Sequence, residues 1–432
     1  DLAGNVSGFS ADLEIRVDIL VAKPAVPDLL PASDLGRLDT DNVTSDSSPD
    51  LEVAGLASQG GILEAEAKVY LHLRSSQNPA YNKDLVEILG DGDETLVFTP
   101  DLLLDSSYEV YAEQADLAGN LSVSSDRLSP LIIDTVVLPP GKPDLQANSD
   151  TGRSNADDIT ADATPTILVG NVEAQATVLL TFDAPAPLLD PVLEQVALVA
   201  GNVELTPLTN LVDASYTVGA QQRDLAGNLS VASVPLAPFV VDTTAPPAPQ
   251  APDLQALSDL GRFDDDNVTK LPPDGKVWFD VRGLESEARV TLDLNSNRDV
   301  NDVQAVGTVL LGANSISLFP TTVNEDTYEV TAWQADLAGN VSPRSPAMVS
   351  PRPNTPPGLR MDRTAPAAPA LPDLLPAFDS GRSDTDNITN KNQPRLLVAS
   401  VEVDALVTVD FDSITPANDR TVAMVSTGTS VE

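Results

Sequence analysis

Apolar and polar residues alternate along short stretches of this chain. Examples are Lys68-Val69-Tyr70-Leu71-His72-Leu73, Glu94-Thr95-Leu96-Val97-Phe98-Thr99 and Tyr108-Glu109-Val110-Tyr111-Ala112. A period of two sends successive side chains to opposite faces, so each stretch predicts a half-buried β-strand. Turn residues separate the stretches, and no long amphipathic helical pattern interrupts them. About seven such stretches fall in each repeating unit, which predicts an all-β chain of antiparallel sandwiches. Leu102-Leu103-Leu104-Asp105-Ser106-Ser107-Tyr108 recurs as Leu211-Val212-Asp213-Ala214-Ser215-Tyr216 and, more loosely, before Tyr328. A tyrosine opening the penultimate strand marks the place of a tyrosine corner.

Two further repeats set the unit. Asp-Leu-Ala-Gly-Asn begins at Asp1, Asp116, Asp224 and Asp336, in steps of 115, 108 and 112 residues. The stretch Asp34-Leu35-Gly36-Arg37-Leu38-Asp39-Thr40-Asp41-Asn42-Val43-Thr44 returns at Asp150, Asp259 and Asp379, in steps of 116, 109 and 120. Every copy keeps Gly two places and Arg three places after the first Asp, with another Asp seven places after it and one six places before it. Such periods exceed the roughly 20–50 residues of solenoid repeats and match a small sandwich domain of about 100 residues. Proline-rich linkers at Val21–Pro24, Leu138–Gly141, Thr243–Pro247 and Thr364–Pro366 are short and stiff. They divide the chain into the closing strands of one domain (1–21), three complete domains (22–135, 136–243 and 244–363) and the first part of another (364–432). With no signal peptide and no initiating Met, the chain reads as a piece of something longer.

Charge narrows the function. The 65 acidic and 24 basic residues leave a net charge of -41, which argues against nucleic acid or an anionic membrane as partner. A hydrophobic content of 42% with regular alternation argues against disorder. Aromatics are only 4%, so the cores are expected to be aliphatic. The absence of Cys rules out disulfides and suits either a cytosolic protein or a secreted one stabilised by metal. No apolar run approaches the roughly 20 residues of a membrane span.

The acidic motifs are the candidate chemistry. In a sandwich of the immunoglobulin type the first strand begins, and the penultimate strand ends, at one pole. The Asp34 motif and Asp-Leu-Ala-Gly-Asn are therefore expected to share that pole with the last residue of the preceding strand. Asp18, Asp28, Asp34, Asp39, Asp41 and Asp116 should gather at a first junction. Asp134, Asp144, Asp150, Asp157 and Asp224 should form a second, and Asp242, Asp253, Asp259, Asp264, Asp266 and Asp336 a third. Asp362, Asp373, Asp379, Asp384 and Asp386 should begin a fourth. Asp183, Asp293 and Asp410 should point the same way. Calcium takes about 6–8 oxygen ligands and suits such carboxylates, Asn42-type amides and backbone carbonyls. Magnesium prefers water and a tight octahedron, and zinc prefers His or Cys. Asp, Asn and Gly are also good turn formers, so a solvated hinge is the plainer alternative. Arg37, Arg153, Arg262 and Arg382 are expected to be local partners of the carboxylates, and the Asn-x-Ser/Thr triplets to be turns.

The closing Asp-Leu-Ala-Gly-Asn, the linker Val241-Asp242-Thr243-Thr244-Ala245-Pro246 and the opening Ser258-Asp259-x-Gly-x-x-Asp-x-Asp-Asn-Val-Thr resemble tandem bacterial immunoglobulin-like domains. They are similar to the extender repeats of giant calcium-dependent surface adhesins exported by type I secretion. The resemblance spans the whole chain. It implies a linear array of immunoglobulin-like antiparallel β-sandwiches, calcium at the linkers, neighbouring domains of the same longer chain as partners and an extracellular stalk role. Asp134-Thr135-Val136-Val137-Leu138, Met361-Asp362-Arg363 and Asn155 depart from the pattern, so the junctions need not be equivalent. A self-assembling extracellular filament or surface layer, with copies of the chain as partners, is the alternative. An enzyme or lectin is the weakest reading: His72 is the only histidine, no nucleophile–base pattern appears, and Trp278 and Trp333 are expected in the core.

Overall fold

The computed structural model describes residues 1–432 except 57–65, 189, 297–301, 351, 353–356, 412–419 and 426. In the first sandwich the strands are β1 (Asp28–Leu29), β2 (Val43–Thr44), β3 (Leu51–Val53), β4 (Lys68–Ser75), β5 (Lys83–Ile88), β6 (Leu96–Phe98), β7 (Ser106–Ala115) and β8 (Leu128–Ile133). One sheet has the order β1-β3-β6 and the other β2-β8-β7-β4-β5. All pairings are antiparallel except β2 with β8, where Val43 faces Ile132 and Thr44 faces Ile133.

The next two sandwiches repeat the plan. The second runs through β9 (Asp144–Leu145), β10 (Ile159–Thr160), β11 (Ile167–Val172), β12 (Thr177–Asp183), β13 (Val192–Val196), β14 (Gly201–Leu205), β15 (Ala214–Arg223) and β16 (Leu236–Val241). The third runs through β17 (Asp253–Leu254), β18 (Val268–Thr269), β19 (Phe279–Arg282), β20 (Arg289–Ser296), β21 (Val303–Thr308), β22 (Ser315–Leu318), β23 (Asp326–Ala335) and β24 (Leu359–Met361). Again a two-residue strand pairs parallel with the last one, β10 with β16 and β18 with β24. A fourth unit carries β25 (Asp373–Leu374), β26 (Leu396–Ala399), β27 (Leu406–Phe411), β28 (Arg420–Val425) and β29 (Ser430–Val431).

Alternation explains the cores. On β7 the inward residues Tyr108, Val110 and Ala112 are buried, and Tyr216, Val218 and Ala220 on β15 and Tyr328, Val330 and Ala332 on β23 match them. Around them lie mostly Val and Leu, with Phe98, Phe182, Phe239 and Phe279 as the fully buried phenylalanines. The three tyrosines make the predicted corner. Tyr108 donates its hydroxyl to the Leu104 carbonyl at 2.8 Å, Tyr216 to Val212 at 2.8 Å and Tyr328 to Asn324 at 3.1 Å.

One expectation fails here. Trp333 and Trp278 are half-buried outside the core. Trp333 follows the inward Ala332, so the pleat turns it outward, where Arg344 lies 4.3 Å over its ring. Trp278 precedes the inward Phe279 and packs on Phe319 at 4.4 Å. Residues 1–21, expected as closing strands, form no sheet pairing. Leu13, Ile15, Val17 and Ile19 alternate correctly but stand exposed, with no facing sheet beside them.

Candidate functional site

The Asp34 loop follows β1 and closes onto β2. Asp34 Oδ2 accepts from the Asn42 amide at 3.2 Å, and Asp41 Oδ1 accepts from the Val43 amide at 3.1 Å. Thr44 donates its hydroxyl to the Ser33 carbonyl at 2.5 Å. Asn42 adopts a left-handed φ of 58°, which Asn tolerates better than most residues. The same carboxylate-to-amide closure recurs from Asp150 to Asp158 at 3.3 Å, Asp259 to Asn267 at 3.0 Å and Asp379 to Asn387 at 3.1 Å.

Because β2 lies parallel to β8, this loop sits at the pole where β8 leaves the domain. The expected grouping is therefore corrected. Asp34, Asp39 and Asp41 do not join Asp18 and Asp116; their loop meets the next domain, where Arg37 donates its amide to the Leu225 carbonyl at 3.1 Å and Ser45 to Ala226 at 3.1 Å. The Asp150 loop, with Asp157, likewise meets the Asp336 segment, through Arg153 N–H to the Leu337 carbonyl at 3.2 Å. The physical reason is that the extended segment from Ala25, bonded to Ala54, to Leu30, bonded to Asp50, runs along β3 before the loop begins, so the loop reaches the far pole. Asp259, Asp264 and Asp266 accordingly lie at the pole of Asp362, whose amide donates to the Thr269 carbonyl at 2.9 Å. Asp379, Asp384 and Asp386 occupy the equivalent loop of the fourth unit.

Asp18 and Asp116 do meet. Asn120 Nδ2 donates to Asp116 Oδ2 at 2.6 Å and to the Asp18 carbonyl at 3.1 Å. Asn228 joins Asp224 to the Asp134 carbonyl in the same way, and Asn340 joins Asp336 to the Asp242 carbonyl. Asp28, Asp144, Asp253 and Asp373 are exposed on the short first strands. Asp253 and Asp264 share an open hollow of about 500 Å³ with Asp265 and Asp280. Asp183 faces Thr217, at the far end of its strand from the Asp224 pole, and Asp293 pairs with Arg344 at 2.6 Å on the sheet face.

One atom recurs in all four loops. Oδ1 of Asp34, Asp150, Asp259 and Asp379 is buried with no hydrogen-bond partner. These residues are only 5%, 5%, 3% and 6% exposed, and a buried carboxylate oxygen left unpaired is costly. Burial first, and then the charges of Asp41 and Asp39, push the Asp34 carboxyl above its ordinary range. Burial and the charges of Asp157 and Asp158 do the same to Asp150. Asp259 is pushed up to about 6 by burial, with Asp266 and Asp265 adding to it.

The linker supplies a second acidic group. Burial, then Asp224 and Asp105, raise Asp134. Burial, then Asp336 and Asp242, raise Glu285. Glu285 and its counterpart Glu173 were not among the expected residues. Gln222 Oε1 accepts the Glu173 amide at 2.9 Å while its Nε2 donates to the Leu138 carbonyl at 2.8 Å. Gln334 straps Glu285 to the Pro247 carbonyl in the same manner, at 2.8 and 2.9 Å. A signal was available: Glu64, Glu173, Glu285 and Glu402 each precede an Ala by three places.

The arginines also depart from expectation. Arg37 reaches Gln175 of the next domain at 3.5 Å, Arg153 reaches Glu287 at 3.6 Å and Arg262 reaches the Asp404 carbonyl at 3.1 Å. Among the described residues no three His, Cys, Asp or Glu side chains are drawn together tightly enough to hold an ion by themselves. The orphaned oxygens and the oxygen-only donors fit a hard divalent cation that would complete its shell from amides and carbonyls. Among the described residues no helix is long and apolar enough to cross a membrane.

The family described as Bacterial Ig-like domain matches residues 20–135 and 137–243. Among solved structures, the chain is similar to the tetra-tandem repeat in the extending region of a large adhesion protein. Identity there is 18%, over 95% of this chain and 89% of that one, with a TM-score of 0.32. It is also similar to the FN1-FN3 domains of chicken CNTN1, with 11% identity over 76% of this chain and 97% of that one and a TM-score of 0.30. No curated protein matches it.

Proposed function

Since the chain belongs to the bacterial Ig-like domain family, we propose that it is a stalk segment of a large, type I-secreted bacterial surface adhesin, stiffened by calcium at its domain junctions. One observation carries this reading: carboxylates of two consecutive domains and of the linker between them converge on one junction, and the arrangement repeats. Asp134, Asp224 and the Asp34 loop supply the first such set, and Asp242, Asp336, Glu285 and the Asp150 loop the second. Asp134 and Asp242 hold their turns through Val136 and Thr244, which aims them at the following domain. Gln222 and Gln334 keep the linker against that domain, so domain motion changes the carboxylate spacing directly.

A calcium ion bound there would supply the positive charge that turns mutual repulsion into shared ligation. Extracellular modules bind calcium with Kd on the order of 10⁻⁴–10⁻³ M, which would leave the junctions free in a calcium-poor cytosol. At ten times Kd each site would add about 1.4 kcal/mol. Calcium titration followed by small-angle scattering tests the proposal. Maximum dimensions should increase and sharpen as calcium is added and relax in chelator; identical profiles in both conditions would defeat it.

A further inference from the structure

We propose that the Asp-x-Gly-Arg loop is a docking head, whose direct contacts with the next repeat fix the angle between domains without any ion. The contacts fall on two adjacent turns of the neighbour. The first is the Leu-Ala-Gly turn, which takes backbone bonds from Arg37 and Ser45 at one junction and from Arg153 at the next. Thr151 adds a hydroxyl bond to the Ala338 carbonyl at 2.7 Å. The second is the turn whose apex is Gln175, Glu287 or Asp404, the three residues that Arg37, Arg153 and Arg262 reach. All three apex residues hold a left-handed φ, of 62°, 64° and 65°, so one turn conformation presents the arginine's target each time. Glu66 in the first domain takes the same conformation at 63°.

Glycine makes the seat close. A Cβ on Gly36 would collide with the Leu225 carbonyl oxygen, and one on Gly227 with the Leu35 carbonyl oxygen. Between the second and third domains a Cβ on Gly152 would strike the Leu337 carbonyl oxygen, and one on Gly339 the Gly152 backbone at 2.8 Å. The two backbones therefore meet at a distance that only glycine permits, on both sides of the interface. The arginine pairs alone would be too weak to hold a domain, since exposed ion pairs contribute little; they set direction on a contact made by backbone fit.

This inference does not rest on calcium, and its test separates the two. The chain has no Cys, so spin labels can be placed in the full chain through Leu208→Cys and Leu310→Cys, both exposed and on either side of the junction between the second and third domains. The inter-label distance distribution is measured in chelator and in calcium. With the loop intact it should already be confined to one peak in chelator, which calcium then sharpens further. Gly152→Ala should broaden it, Arg153→Glu should broaden it by setting Glu against Glu287, and adding Glu287→Arg should narrow it again. Calorimetry verifies that the second domain, which carries the altered loop, stays folded in each variant, and Trp278 and Trp333 fluorescence verifies the third. A distribution that is broad in chelator and narrows only with calcium would overturn the docking head and leave the calcium-stiffened stalk standing. A narrow distribution that none of the variants disturbs would overturn it too. A narrow one that the variants broaden, unchanged by calcium, would uphold docking and remove the role of the ion.

Discussion

Asp259→Asn should make the third domain more stable in chelator and less responsive to calcium. Asp259 is 3% exposed, its Oδ2 accepts from Asn267 and its Oδ1 has no partner. Its carboxyl is pushed from 3.8 up to about 6, chiefly by burial. A folded-state pKa above the unfolded one means the folded domain binds the proton more tightly. The stability this confers is fully present below about pH 4 and lost as pH rises through 6, so metal-free protein at neutral pH carries the whole penalty. Two pKa units correspond to about 3 kcal/mol. Asn keeps an oxygen for the Asn267 amide and carries no charge, so in chelator at pH 7.5 the variant should gain up to about 3 kcal/mol. Its stability should also fall less steeply than the wild type's between pH 4 and 7. In calcium the order should reverse, because the wild type gains ligation that the amide supports poorly. Urea denaturation followed by tryptophan fluorescence reads this domain alone, since both tryptophans, Trp278 and Trp333, belong to it. A variant less stable than wild type in chelator would refute the burial penalty, and equal stabilisation of both proteins by calcium would remove Asp259 from the ligands.

Three further outcomes are expected. Tyr216→Phe removes the hydroxyl bond to the Val212 carbonyl and should cost about 0.5–1.5 kcal/mol, seen as a lower melting temperature of the second domain in calorimetry. Glu285→Gln should raise metal-free stability by relieving repulsion from Asp336 and Asp242, while reducing calcium-induced stiffening in scattering. Gln222→Leu removes the bonds to the Glu173 amide and the Leu138 carbonyl, at about 0.5–1.5 kcal/mol each, and hydrogen exchange at Glu173 should accelerate.

The sheets were legible because half-burial writes itself into a period of two: Tyr108, Val110 and Ala112 point inward as their spacing requires. The tyrosine corner was legible for a similar reason, being local, with Tyr108 only four positions after Leu104. Which pole the Asp34 loop occupies was not. Position before the main strands says nothing of how far the chain travels before the loop, and the decisive pairing of β2 with β8 joins residues about ninety apart through two residues each. The arginines were misplaced because a long side chain beside carboxylates invites a local pairing, whereas the loop's exposure lets it reach across. Glu173 and Glu285 escaped notice because one Glu in a polar turn carries no signal until the repeats are aligned on the following Ala176 and Ala288. Trp278 and Trp333 show the converse error, since size suggested the core while the pleat put both outside.

The parallel patch between β2 and β8 has a mechanical consequence. Asn42 and Thr44 accept the amides of Ile132 and Asp134 at 2.8 and 3.0 Å, next to the point where the chain leaves the domain. Tension along the chain pulls β8 lengthwise past β2, so these bonds are sheared together rather than peeled apart one at a time. A pulled domain therefore resists first at this small clamp, and the repeats would yield one by one under force, each at its own clamp.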